Sequence, residues 1–338
     1  MFALVLLALL GVSLLGHLAG FVAGLMSWSG ASSRSGLPLQ EVVVENQGAR
    51  DKIAIVDVEG MIFGGYLAPG DGSMVEVIAE QLRRAEKDDR VCAVILRVNS
   101  PGGEVLASDE IARAVREFQE TSGKPVIASL DGVAASGGYY VAVPARWIVA
   151  SEMTITGSIG VIMRAYNYRG LLDRVGVRPE VFKTGRFKDM LRGDKAESEI
   201  TSEERAMLQA MLDQTYERFA AVVQQGRARA ARENAGAGRA LAATWKELAD
   251  GRILTGTQAY EHGFVDELGN FQTAVERAKR LGGVTKANLV KYKLPPSLFS
   301  FANLLGGAKT QTVKLDLGLD LPRLNAGLPY FLYLPAVP

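Results

Sequence analysis

The first 28 residues, MFALVLLALLGVSLLGHLAGFVAGLMSW, contain no Asp, Glu, Lys or Arg, and none occurs before Arg34. A helix of about 20 apolar residues crosses the roughly 30 Å of hydrocarbon in a bilayer. Residues 1–28 therefore read as a single transmembrane anchor, and whatever follows must fold beside a membrane. A cleaved signal peptide would carry a basic start and an apolar stretch of roughly 7 to 15 residues. This segment has neither, which favours a retained anchor. No basic residue precedes it and Arg34 follows it, so loop charge specifies the orientation only weakly. The small-residue stretch SWSGASSRSGLP opens a flexible linker assigned to residues 29–50.

Beyond the linker, the apolar runs KIAIVDVEG, VCAVILRV, KPVIASL and RWIVASE alternate with amphipathic segments over Ser73 to Asp88 and Glu104 to Gln119. That alternation predicts an α/β domain, placed at residues 51–294. Ser73 with Glu76 and Thr201 with Glu204 form S/T-x-x-E capping boxes, the second opening a long helix to about Arg232. The Arg- and Ala-rich run RARAARENAGAGRA, from Arg227, reads as a solvated helix end and loop. Residues 295–338 are apolar and broken by proline, too short for a second membrane span, and read as a tail packed on the body or a neighbouring subunit. No internal repeat points to a solenoid.

The net charge of +1 leaves no electrostatic footprint for nucleic acid. Only two histidines occur, His17 in the apolar segment and His262 in YEHGFVDELG, where it reads as a turn residue before a strand. A Ser-His-Asp triad is therefore poorly supplied. The single cysteine, Cys92, can form no intrachain disulfide and reads as a buried small hydrophobe. With no His or Cys cluster for zinc, neither a metal nor a cofactor is expected.

Three glycine-containing stretches remain. Asn99 to Gly103 reads NSPGG and follows a strand; its amides could stabilise an oxyanion, and a plain turn is the alternative. Ser136, in DGVAASGGYY, stands at a helix start beside unpaired amides, as a nucleophile would, and an ordinary N-cap serine is the alternative. FKTGRFKDM offers Lys183 and Lys188, each of which could equally be a surface charge. A lysine acts as a base once burial lowers its pKa from about 10.4 to about 7 or 8, which requires roughly 3 to 5 kcal/mol.

Taken together and in this order, NSPGG, ASGGYY, TGSIG and FKTGRFKD resemble the signal peptide peptidase A family. These are serine peptidases of the ClpP/crotonase-like fold, a spiral of repeated ββα units. GRILTGTQA and GFVDELG extend the resemblance to about residues 52–282. It implies Ser136 as nucleophile and Lys188 as general base, separated by the 52 residues of a short, single-domain form (188 − 136). It further implies Gly103 and Gly137 as oxyanion-hole amides and Ser158 as the residue that holds the lysine ammonium, leaving Lys183 aside. Also implied are cleavage of remnant signal peptides and other apolar peptides through an acyl-enzyme, and a single-pass cell-membrane protein with its catalytic domain outside the cytoplasm. The family's ring or dome homo-oligomer, an octamer, would let serine and lysine come from adjacent subunits. The alternatives are a related membrane-bound Ser-Lys peptidase with another substrate, an inactive scaffold, or an acyl-CoA hydratase or isomerase of the same fold.

Overall fold

Strand β3 (Val91–Ser100) carries Ala93, Val94, Ile95, Leu96 and Val98, all fully buried. A near-continuous apolar run of this kind belongs to a strand covered on both faces. In the computed structural model it lies between β2 (Lys52–Glu59) and β5 (Val126–Ala134), parallel to both, with Ile55 opposite Ile95 and Leu96 opposite Ala128. The structure describes residues 37–65, 72–295 and 330–332. The expected anchor lies outside them, and among the described residues no helix is long and apolar enough to cross a membrane.

The sheet continues outward from this centre. Strand β6 (Trp147–Ala150) runs parallel beside β5, and β9 (Glu267–Leu268) beside β6. On the other side β10 (Asn288–Lys293) is parallel to β2, and β1 (Gln40–Glu45) closes that edge antiparallel to β10. Residues 40–45, assigned to the linker from their sequence, are thus a strand whose side chains stay exposed while its backbone pairs. Strand β7 (Ile155–Gly157) joins β5 and pairs antiparallel with β8 (Ile253–Thr255). A separate ladder sets β11 (Tyr330–Leu332) antiparallel to β4 (Gly102–Glu104), with Phe331 opposite Gly103.

Helix α1 (Met74–Lys87) starts at the Ser73 capping box and α2 (Val105–Ser122) stops at Gly123, whose φ of 70° suits a left-handed cap. The short α3 (Gly137–Ala142) and α4 (Arg169–Arg174) precede the 32-residue α5 (Ser202–Glu233), capped by Thr201 as its sequence predicts. After α6 (Gly256–Glu261), α7 (Phe271–Leu281) lays Ala274, Val275 and Ala278 on Ile53, Ile95 and Ile127 of the sheet. Alternation along the strands turns Ala54, Val94 and Leu96 to the opposite face.

Two expectations change. Cys92 is only half-buried; its thiol donates to the Lys52 carbonyl at 3.2 Å, and burial pushes its pKa up. Arg227, read as part of a solvated helix end, is 1% exposed. Its guanidinium grips Asp266 through two nitrogens, at 2.9 and 2.5 Å, and donates to the carbonyls of Gly263 and Arg239. Burial opposes the charge, but Asp266 outweighs it and holds the arginine above its usual pKa. Asp266 also accepts the amides of Ile148 and Arg239, so the pair ties α5 to β6 and to the turn before β9. Removing one partner of a buried pair strands the other charge. Arg227→Met is expected to lose about 3 to 5 kcal/mol in urea unfolding. A loss below about 1 kcal/mol, the value of an exposed pair, would contradict this role.

Candidate active site

Ser136 occupies the bend between β5 and α3, at φ 54° and ψ −117°. Those angles lie outside the regions that L-residues favour and store on the order of 1 to 3 kcal/mol of strain. Four hydrogen bonds impose them. The Ala135 amide donates to Ser100 O at 3.1 Å and the Ser136 amide to Gly157 O at 2.8 Å, while Gly138 donates to Ala135 O and Tyr140 to Ser136 O. A Cβ on Gly138 would lie 2.5 Å from Ser100 O, so this close approach requires glycine. The N-cap alternative fails, because the Ser136 side chain makes no cap hydrogen bond. Its Oγ is buried and has no partner among the described residues. An orphaned buried hydroxyl costs roughly 1 to 3 kcal/mol, and here it coincides with the strained backbone.

The NSPGG stretch is more than a turn. Beyond Ser100 the chain enters β4, where Ile62 donates to Gly102 O at 2.8 Å and Glu104 donates to Ile62 O at 2.9 Å. Successive peptide groups of a strand point to opposite edges, so the Gly103 amide faces away from Ile62, towards the edge that β11 joins. A Cβ at Gly103 would stand 1.9 Å from Ile62 O. Gly137 supplies the first amide of α3, which has no carbonyl to bond within its own helix.

TGSIG meets the same place from a third side. Thr156 Oγ1 donates to Ala134 O at 2.7 Å, and Gly157 O holds the Ser136 amide. Ser158, the next residue, is buried at φ 50°, and its amide donates to Arg252 O of GRILTG at 2.7 Å. Four motifs that are remote in sequence thus converge on Ser136. The fifth does not. Lys188 is exposed, with no side-chain partner among the described residues, and within one chain it is hydrogen-bonded to neither Ser136 nor Ser158. Lys183 instead meets Asp189 at 2.5 Å and the carbonyl of Arg186 at 3.1 Å. His262 closes α6 and enters the turn before β9, as its sequence context predicts.

The family model of peptidase family S49 matches residues 118–285, which hold Ser136, Ser158 and Lys188. A putative protease of Synechocystis is 36% identical over 294 residues, covering 84% of this chain and 96% of that protein. The chain belongs to peptidase family S49. A putative signal peptide peptidase SppA of Enterococcus faecium is 38% identical over 213 residues, covering 63% of this chain and 58% of that longer protein. Among solved structures, a mutant of the 1510-N membrane-bound stomatin-specific protease aligns over 74% of this chain and 100% of its own, at 16% identity and a TM-score of 0.45.

As an S49 serine peptidase the chain has supporting residues that its sequence did not single out. The buried Tyr139 hydroxyl donates to Phe264 O at 2.8 Å, and burial raises its pKa. Tyr140, one helical turn beyond Ser136, donates to Asp109, which also pairs with Arg218 of α5 at 3.1 Å. The two tyrosines read only as apolar helix positions, and nothing near Asp109 or Arg218 marks them in sequence. Tyr140, Asp109 and Arg218 line a cavity of 440 Å³ with Glu104, Val105, Leu106 and Thr215, beside the β4 edge. Because Ile62 O leaves no room for a methyl group at Gly103, Gly103→Ala in this S49 peptidase is expected to lose about 1 to 3 kcal/mol of stability together with most activity. Wild-type unfolding and turnover in that variant would contradict the close approach.

Proposed function

We propose that the chain is a membrane-anchored S49 endopeptidase that cleaves apolar peptides, remnant signal peptides among them, with Ser136 as nucleophile and Lys188 as general base. The observation that carries this reading is the Ser136 hydroxyl, buried and unpartnered on a strained backbone where four motifs meet. Neutral Lys188 takes the Ser136 proton as Oγ adds to the peptide carbonyl. The amides of Gly103 and Gly137 bind the oxyanion. The ammonium, held by the Ser158 hydroxyl, then returns the proton to the departing amine and leaves an ester on Ser136. A water that gives its proton to the same lysine hydrolyses the ester. No metal or cofactor enters these steps.

The scaffold proposed is the ClpP/crotonase-like spiral, anchored in the cell membrane by residues 1–28 with the catalytic domain outside the cytoplasm. For the substrate, support comes from β4, whose edge accepts an extended segment of this chain antiparallel at Gly103. Strand addition of that kind recognises peptides by their backbone and leaves alternate side chains to pockets. The adjoining apolar cavity offers one. A related Ser-Lys peptidase with another substrate remains the second reading, whereas the acyl-CoA hydratase or isomerase alternative does not survive membership of a peptidase family.

The lysine is proposed to serve a neighbouring copy in a homo-oligomer, an octamer by the family resemblance. Lys188 lacks within its own chain the burial that a lysine base requires. The segments around it expose Tyr166, Leu171, Val175, Val181 and Phe182, the last 93% exposed, as a surface awaiting a partner would. Against a fluorogenic apolar peptide, Ser136→Ala and Lys188→Ala are each expected to lower kcat/KM at least ~10³-fold while folding normally. Retention of most activity by either variant would contradict the dyad. Mixing the two inactive variants through dissociation and reassembly should restore part of the activity, and no recovery would place both residues in one chain.

A further inference from the structure

Asp189, the residue after Lys188, lies where three cations meet. Lys183 Nζ is 2.5 Å away, Lys195 Nζ 3.6 Å and Arg192 Nη1 3.9 Å. The Lys183 hydrogen bond above all holds the Asp189 carboxyl below the usual carboxylate range. Lys195 is itself buried and reaches Glu204 Oε1 at 2.6 Å, while Glu204 Oε2 accepts the Thr201 amide at 3.0 Å in the capping box of α5. A continuous path thus runs from the first turn of α5 through Glu204, Lys195 and Asp189 to the peptide that bears Lys188. The far part of α5 is fixed in the body by buried Phe219, Val223 and Arg227.

Little else fixes that peptide. Residues 178–190 contain no helix or strand, and most are exposed. The further ties are an exposed ion pair from Arg186 to Glu203 in the first turn of α5 at 2.6 Å, the Asn167 side chain donating to Lys195 O at 3.0 Å and the Tyr168 amide donating to Gly193 O at 2.7 Å. Exposed ion pairs contribute little to stability. Lys195, Glu204 and the Asp189 carboxylate are each at least 90% buried, so solvent screens this cluster much less. The cluster also accounts for the two lysines of FKTGRFKD in different ways: Lys183 spends its ammonium on Asp189, and Lys188 is left without a partner.

We propose that Asp189 is a positioning residue for the peptidase reaction, clamping the Lys188 peptide to the N-terminus of α5 through Lys195 and Glu204 so that the base meets the serine in a fixed geometry. This rests on the reading of Lys188 as base. Its test compares Asp189→Asn, Asp189→Glu, Lys195→Met and Lys188→Ala in the full-length protein, by steady-state cleavage of an apolar peptide and by thermal unfolding. A misplacement of the reacting group by about 1 Å lowers rate about 10²-fold, so Asp189→Asn should lose about that factor in kcat with KM within about twofold of wild type. Asp189→Glu, which keeps the carboxylate, should recover at least about tenfold of the loss. Lys195→Met should match Asp189→Asn, and the double variant should be little worse than either single one, as expected for one network. Wild-type kcat in Asp189→Asn, or a loss that tracks the unfolded fraction and is not recovered by Asp189→Glu, would overturn the clamp. If Lys188→Ala is inactive while Asp189→Asn is normal, only this inference falls; if Lys188→Ala retains activity, the assignment of the base falls with it.

Discussion

An L-residue at φ 54° and ψ −117° stays there only if its surroundings leave it no alternative, and much of the described structure around Ser136 serves that end. Strands β3 and β5 are parallel and buried, so their carboxyl ends reach the same edge of the sheet, with Ser100 opposite Ala134. Loops at the carboxyl ends of such strands are where open α/β sheets place their ligands. Here the Ser100 carbonyl takes the Ala135 amide and sits against Gly138, while Gly157 takes the Ser136 amide. Gly138 and Gly103 follow from this crowding: the carbonyl of Ser100 stands in the space of a side chain at the first, and that of Ile62 at the second. What remains is a hydroxyl with its backbone fixed and its oxygen free.

Helix α5 links this centre to the periphery. Near one end Arg227 is buried against Asp266 of GFVDELG, and Phe264 of the same motif accepts the Tyr139 hydroxyl from the helix that follows Ser136. At the other end Glu204 both caps the helix and holds Lys195. A motif with no reacting group therefore seats the helix, and the helix carries the segment that bears Lys188. The proposed nucleophile and the proposed base are separate constructions, Ser136 held inside one chain and Lys188 presented outward.

Much of this was legible in the sequence because it is local. Apolar runs alternating with amphipathic segments marked the central strands, and the S/T-x-x-E boxes at Ser73 and Thr201 marked the starts of α1 and α5. What was hidden depends on distant partners. Nothing in RARAARENAGAGRA distinguishes Arg227 from Arg229 or Arg232; Asp266, 39 residues away, decides it. Strand β1 was hidden because its side chains remain in solvent and only pairing with β10, some 240 residues later in the chain, makes it a strand. The choice between N-cap and free hydroxyl at Ser136 turns on backbone angles that composition does not encode. In the sequence only resemblance separates Lys188 from Lys183, and the ion pair that engages Lys183 depends on folding that brings Asp189 to it.

The central claim, that the orphaned hydroxyl of Ser136 is a nucleophile activated by Lys188, is tested most directly by covalent labelling. The assembled protein would be treated with a serine-reactive fluorophosphonate and the adduct located by mass spectrometry. The account predicts one adduct, on Ser136, and its loss in Lys188→Ala. An adduct on a different serine, or equal labelling of Ser136 in Lys188→Ala, would contradict it.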